Sequence, residues 1–362
     1  MSTRLLICDD SNMARKQVAR SLPDNWDVDI SFATNGQEAI TAIKEGKGDV
    51  LLLDLNMPVM DGYEVLEAIL KQDLPTMTIV ISGDIQPEAH QRVTGMGALD
   101  FIKKPVNKTK LTEILKAYGI FTEDSVAAEK SSVDDKAPEK VALPKITEPI
   151  PVAETEKPEK TELITLAPDM RDCYQEIANV AMGRAGDLLA RLLDVFVLLP
   201  IPNVNLIEVS ELSMALSSVA ANESTSGVCQ GFIGAGISGE ALLILNDSSF
   251  KDIARLMDYQ QEVDESAELE LLMDMANTLI GACLSGVSEQ LDMTFSQGHP
   301  VVLGQHRKIK ELIATNSSKW RQTLAIEISY NIEDYPIKCD LLLLFTEESM
   351  QTLNNKLAYL LD

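Results

Sequence analysis

Residues 5–9 read Leu-Leu-Ile-Cys-Asp and residues 50–54 read Val-Leu-Leu-Leu-Asp, two short apolar runs that each end on a carboxylate. Working outward, Asp29–Ala33, Thr78–Ile81 and Phe101–Ile102 repeat the pattern, and helical stretches of about ten residues or more separate the runs. Strands alternating with helices predict an α/β doubly wound, five-stranded parallel sheet with crossover helices. In such sheets ligands bind beyond the carboxyl ends of the strands. Those ends carry Asp9 and Asp10 after the first strand, Asp54 after the third, Ser82 after the fourth and Lys104 after the fifth.

Three carboxylates converging on one crevice repel one another, so either some protonate or a divalent cation neutralises them. Oxygen ligands without His or Cys favour Mg²⁺. A carboxylate beside bound Mg²⁺ can attack phosphorus while a Lys and a hydroxyl hold the phosphoryl oxygens. Asp54, Lys104 and Ser82 fit those parts.

The chain has 362 residues and a formal charge of −25. That length predicts two or three domains, and the charge repels nucleic-acid phosphate and anionic lipid. Five scattered cysteines, Cys8, Cys173, Cys229, Cys283 and Cys339, argue for reduced thiols. The start runs straight into Asp9 and Asp10, unlike a signal peptide, and the longest uncharged apolar stretch, Val195–Pro202, is far short of a bilayer span. A cytoplasmic protein is expected. Three histidines make a His-centred metal site or a Ser-His-Asp triad improbable.

Thr122 to Glu162 contains no Gly and no aromatic residue, but five prolines, eleven acids and six lysines. Such a composition cannot bury enough apolar surface to offset chain entropy, which predicts a disordered acidic linker over 122–162. The domains are then 1–121 and 163–362. Charge divides as −4, −5 and −16 over the first domain, linker and second domain.

The runs Ile7-Cys-Asp-Asp-Ser11, Asp54-Leu-Asn-Met-Pro-Val-Met-Asp-Gly62, Ile81-Ser-Gly83 and Phe101-Ile-Lys-Lys-Pro105 resemble the CheY-like receiver domain of response regulators, which has a flavodoxin-like fold. The resemblance implies phosphorylation on Asp54 by a sensor histidine kinase. It also implies Mg²⁺ held by Asp9, Asp10, Asp54 and the backbone carbonyl of Asn56, and a switch coupling Ser82 to Phe101. A receiver usually reports to an attached output.

Residues 163–362 lack a Gly-rich phosphate loop, a Gly-x-Ser-x-Gly and a His-Glu-x-x-His, but they contain a repeat. Asp172, Glu176, Asn179, Gly183 and Pro202 recur 98 residues later as Glu270, Asp274, Asn277, Gly281 and Pro300. The runs starting at Ala241 and Asp340 recur at a displacement of 99. Two related halves are expected, each a long helix followed by strands. At 100° per residue, Asp172, Glu176, Asn179 and Gly183 share a sector of about 60°, with Ile177, Leu188 and Leu192 opposite. A solvated polar face is the plain alternative. Against it stand the helical Gly, which costs about 1 kcal/mol relative to Ala yet bares a patch for another surface, and the repetition itself.

The pattern Asp-x3-Glu-x2-Asn-x22-Pro is similar to that of the CheC/CheX/FliY aspartyl-phosphate phosphatases of chemotaxis. The resemblance implies an α+β fold with an internal two-fold repeat, whose long helices present their outer faces to a phosphorylated receiver. Asn179 then orients an attacking water, Glu176 pairs with the receiver's active-site Lys, and Asp172 and Glu270 belong to the docking surface. Asp274 replaces Glu in the second half and shortens the reach by one methylene, which leaves Asp274 and Asn277 the weaker site.

The expectation is a two-component chemotaxis protein whose output is a phosphatase acting on a CheY-like response regulator, either its own receiver or a separate one. The alternative is a non-enzymatic, phosphorylation-gated adaptor that binds a motility-switch protein or a CheD-like partner. The −16 output domain and the lack of a helix-turn-helix pattern disfavour DNA binding.

Overall fold

A computed structural model describes residues 2–122, 166–208, 224–260, 262–307 and 322–361. Apart from Thr122, the expected linker lies outside the described residues.

The first sheet is built from β1 (Thr3–Cys8), β2 (Val28–Ala33), β3 (Val50–Leu53), β4 (Met77–Ser82) and β5 (Asp100–Lys103). Its order is β2-β1-β3-β4-β5 and every pairing is parallel. The helices are α1 (Asn12–Arg20), α2 (Gly36–Lys44), α3 (Gly62–Gln72), α4 (Pro87–Gly95) and α5 (Lys108–Ala117). Side chains alternate across a strand, so Leu6 and Cys8 join the core under α2, α3 and α4, while Leu5 and Ile7 join the core under α1 and α5. Burial on both faces is why these strands read as apolar runs. Chain order reverses between β1 and β3, and the crevice there opens between Asp9 and Asp54.

The second unit starts with α6 (Pro168–Leu193), β6 (Val197–Leu198), β7 (Asn203–Glu208), β8 (Thr225–Gly234), β9 (Ile237–Asn246) and α7 (Phe250–Leu256). It continues with α8 (Glu265–Gln290), β10 (Ser296–Gln297), β11 (Val301–Arg307), β12 (Gln322–Ile332), β13 (Lys338–Thr346) and α9 (Glu347–Leu361). The two halves carry the same elements in the same order. β9 and β13 pair antiparallel at the centre, β7 crosses to pair with β12, and β11 crosses to pair with β8. Each half therefore completes the other's part of one sheet.

α6 and α8 lie together on one face of that sheet, over a core that includes Ile177, Leu189, Leu279, Cys283, Tyr330 and Leu341. Gly286 allows their close approach, since a side chain there would come within 2.7 Å of the Ala181 Cα. Among the described residues α8 alone is long and apolar enough to cross a membrane by length and composition, and its apolar side is spent on this packing.

The expected apolar sector of α6 needs one correction. Ile177 is in the core, but Leu188 is 46% exposed. It lines a cavity of about 450 Å³ between the two helices and the ends of β4 and β5, with Lys103 and Ala282, while the adjacent Leu189 is fully buried in the core.

The buried Leu341 is fully enclosed, so Leu341→Ala is expected to cost about 2–5 kcal/mol of unfolding stability. Leu188→Ala is expected to cost under about 1 kcal/mol. Denaturant melts of the two variants check this, and equal losses would contradict the packing.

Candidate functional site

The carboxyl ends of β1 and β3 bring Asp9, Asp10 and Asp54 together, with one ligand oxygen from each inside a 4.8 Å cluster. Asp54 is 1% exposed, and neither oxygen of its carboxylate accepts a hydrogen bond. Burial pushes its pKa well above the ordinary carboxylate value; Lys104 opposes the shift and Asp9 adds to it. Burial and the charge of Asp9 likewise raise Asp10 to about 6. Crowded, buried carboxylate oxygens are what a hard divalent cation satisfies, so the donor set fits Mg²⁺.

Lys104 follows β5 and is buried. Its ammonium lies 2.8 Å from Asp9, 3.3 Å from Asp54 and 3.2 Å from Glu176. Burial alone would lower its pKa, but Asp54, Asp9 and Glu176 together hold it well above the usual lysine value. Ser82 is buried, and its hydroxyl accepts the Asp84 amide at 3.1 Å. Phe101 stacks at a tilt on the His90 ring, with centroids 5.4 Å apart.

Glu176 comes from the other unit, and the whole outer face of α6 accompanies it. Asp172 accepts the Asn12 amide at 3.1 Å and the Met13 amide at 2.9 Å. Both are first-turn donors of α1 that have no partner within their own helix, so Asp172 caps a helix of the other domain. The Asn56 amide donates to the Asn179 Oδ1 at 3.3 Å. Gly183 meets the β4–α4 loop so closely that a Cβ there would overlap the Gly83 carbonyl oxygen. Glu176 and Asn179 are each 5% exposed. They point away from their own core, and the covering surface is the chain's own receiver-like crevice rather than solvent. Burial pushes Glu176 up to about 7, against the pull of Lys104.

The second half offers the same groups without a cover. Glu270, Asp274 and Asn277 are exposed, and a side chain built on Gly281 would meet nothing. The structure brings Asp172, Glu176 and Asn179 to Asp54 and leaves the α8 set apart from it.

Contacts at the edge of this seat had no sequence signal. The buried Gln86 amide donates to the Val197 carbonyl at 2.8 Å and accepts the Val197 amide at 2.9 Å, pairing with β6 as a strand would. Arg92 on α4 donates to Glu333 at 3.0 Å and lies 3.8 Å above the Phe196 ring. These partners are more than 100 residues apart, so no local spacing reveals them.

Residues 5–116 match the family described as response regulator receiver domain. Among curated proteins, the chain is 38% identical over 103 residues to a protein-glutamate methylesterase/protein-glutamine glutaminase of Geobacter sulfurreducens, covering 28% of each chain. It is 29% identical over 197 residues to a protein of that name encoded in a group 2 operon of Rhodospirillum centenum, covering 51% of this chain and 50% of the other. The chain thus spans about half or less of the curated relatives it matches. Among solved structures, the response regulator domain of Thermotoga maritima CheB is 28% identical, with a TM-score of 0.30, over 34% of this chain and all of that one. Thermotoga maritima FliY is 19% identical, with a TM-score of 0.41, over 54% of this chain and 99% of that one.

These relatives correct one expectation. The hydrolase activity in their names is methylesterase and glutaminase, not aspartyl-phosphate hydrolysis, so the assignment of residues 163–362 as an aspartyl-phosphate phosphatase is withdrawn.

Two outcomes test the seat of α6. Gly183→Ala is expected to weaken docking by about 1–3 kcal/mol while the α+β unit melts as before, because the added methyl meets the other domain and not its own core. The Asn12 and Met13 amide resonances in the full chain report docking, and their constancy would contradict the contact. The second outcome concerns pH. The docked Glu176 has a raised pKa, so protonation favours docking: in metal-free buffer docking is strongest below the undocked value of about 4.5 and fades as pH rises through about 7. Glu176→Gln should flatten much of that profile, and an unchanged profile would count against the assignment.

Proposed function

We propose, taking residues 5–116 as a response regulator receiver domain, that this chain is a chemotaxis signalling protein whose second domain is a docking module gated by phosphorylation of Asp54. The observation that carries this reading is the seat of α6, with Glu176 on Lys104 and Asn179 on Asn56 at the mouth of the Asp54 pocket. The division is a receiver over 1–121, a tether over 122–162 and the module over 163–362.

A sensor histidine kinase is the phosphodonor in this account. Asp9, Asp10, Asp54 and the backbone carbonyl of Asn56 would hold Mg²⁺, which supplies charge neutralisation for the incoming phosphoryl group. Lys104 and the Ser82 hydroxyl hold phosphoryl oxygens. A phosphoryl group brings about −1.5 to −2 charges to Asp54. It competes with Glu176 for the Lys104 ammonium and leaves a buried glutamate facing like charge. Breaking a buried pair in this way costs about 3–5 kcal/mol. Phosphorylation therefore releases α6.

Release frees Glu176, Asn179 and Asp172 for a partner, either a motility-switch protein or a CheD-like protein. In the same event Arg92 gives up Glu333 and Phe196 and Gln86 gives up Val197, each keeping its partner within the receiver, Glu88 and Asp84, so the receiver's own face opens together with the module's.

Adding beryllofluoride and Mg²⁺ to the full chain, as a phosphoryl mimic, is expected to shift the Asn12 and Met13 amides to undocked positions, and Asp54→Asn should abolish the response. A wild-type chain that stays docked with the mimic bound would contradict the gate.

A further inference from the structure

The module presents two related faces, yet the receiver occupies only one. The polar set alone does not decide between them, because Asp172, Glu176, Asn179 and Gly183 have counterparts in Glu270, Asp274, Asn277 and Gly281. The difference lies one layer away, at the β-hairpin ends beside each short strand.

Strand register fixes which positions correspond. Val197 of β6 lies opposite Ile332 of β12, and Ser296 of β10 lies opposite Ile233 of β8. The residues that follow are Glu333 in one half and Gly234 in the other. Glu333 donates its backbone amide to the Phe196 carbonyl at 3.0 Å, which leaves its carboxylate free to reach Arg92 on α4. Gly234 is pressed against the Thr294 carbonyl so closely that a Cβ there would overlap it. The second half has no room for a carboxylate at this place.

The aromatic partner differs in the same way. Phe196 lies under the Arg92 guanidinium, 3.8 Å from ring centroid to cation. Its counterpart Phe295 turns to Phe232, with centroids 5.1 Å apart, and Phe232 in turn stacks on Phe345. Asn331 replaces Phe232 in the first half, so no ring competes there for Phe196.

We infer that Arg92, Glu333 and Phe196 form an address that seats the receiver on the α6 face and excludes it from the α8 face. A guanidinium that is both paired and stacked gains from planarity in a way a lysine would not. The residues position the receiver and touch neither Asp54 nor Lys104. The inference rests on the proposed docking and adds what sets its direction.

The test places a photo-cross-linking residue at Lys16, on α1 beside α6, in the dilute full chain, and maps adducts by peptide mass spectrometry. The wild type is expected to give adducts on 168–193 and none on 265–290. Glu333→Arg, which sets like charges together, should reduce the α6 adduct roughly tenfold or more. The exchange Arg92→Glu with Glu333→Arg should restore it, which a misfolded variant could not do. An α6 yield untouched by Glu333→Arg, or no recovery in the exchange, overturns the address. A wild type with no α6 adduct instead overturns the docking itself.

Discussion

The Lys104 ammonium is buried among three carboxylates, two from its own crevice and one from the second domain, and the arrangement of the chain depends on how that single cation is shared. A lone buried ammonium would be costly, and so would a lone buried glutamate. Asp9 and Asp54 pair Lys104 from within its own domain, whereas the buried Glu176 has its cation only when α6 is seated on Lys104. The pair therefore works less as a source of stability than as a condition: any group that takes Lys104 away from Glu176 turns a satisfied contact into a penalty. The proposed phosphorylation of Asp54 would act on that same cation.

The module's construction explains how one half could specialise. Exchange of β7 and β11 between the halves makes the sheet a joint product, so neither half can drift far without harming the other's core. The outer helix faces and hairpin ends are free of that constraint. The two halves differ there in Glu176 against Asp274, Glu333 against Gly234, and Asn331 against Phe232, the last of which gives the shared Phe196 and Phe295 different ring partners.

Much of this was legible from the residues. The strand ends gave away Asp9, Asp10, Asp54, Ser82 and Lys104, because an α/β sheet places its ligand groups there. The repeat of Asp172, Glu176, Asn179 and Gly183 exposed a face built for contact, and the helical glycine, without use in its own core, signalled close approach. That the contact is with the chain's own receiver was left open by the sequence, since the spacing of a recognition face does not say which surface it meets. Leu188 misled because it stands at the flank of the buried face, at a cavity between the two long helices, while Leu189 and Leu193 beside it carry the core to the end of α6. Gln86, Arg92 and Glu333 were invisible because their partners are remote in sequence.

The central claim is that the second domain rests on its own receiver's phosphorylation pocket in the unphosphorylated chain. The described cysteines are all buried, so spin labels can be placed selectively at Leu70 on α3 and Ile233 on β8, both exposed. Pulsed dipolar spectroscopy on that doubly labelled chain is expected to give one narrow distance distribution, which broadens when Gly183→Ala is added. A broad distribution in the unmodified background, unchanged by Gly183→Ala, would contradict the account.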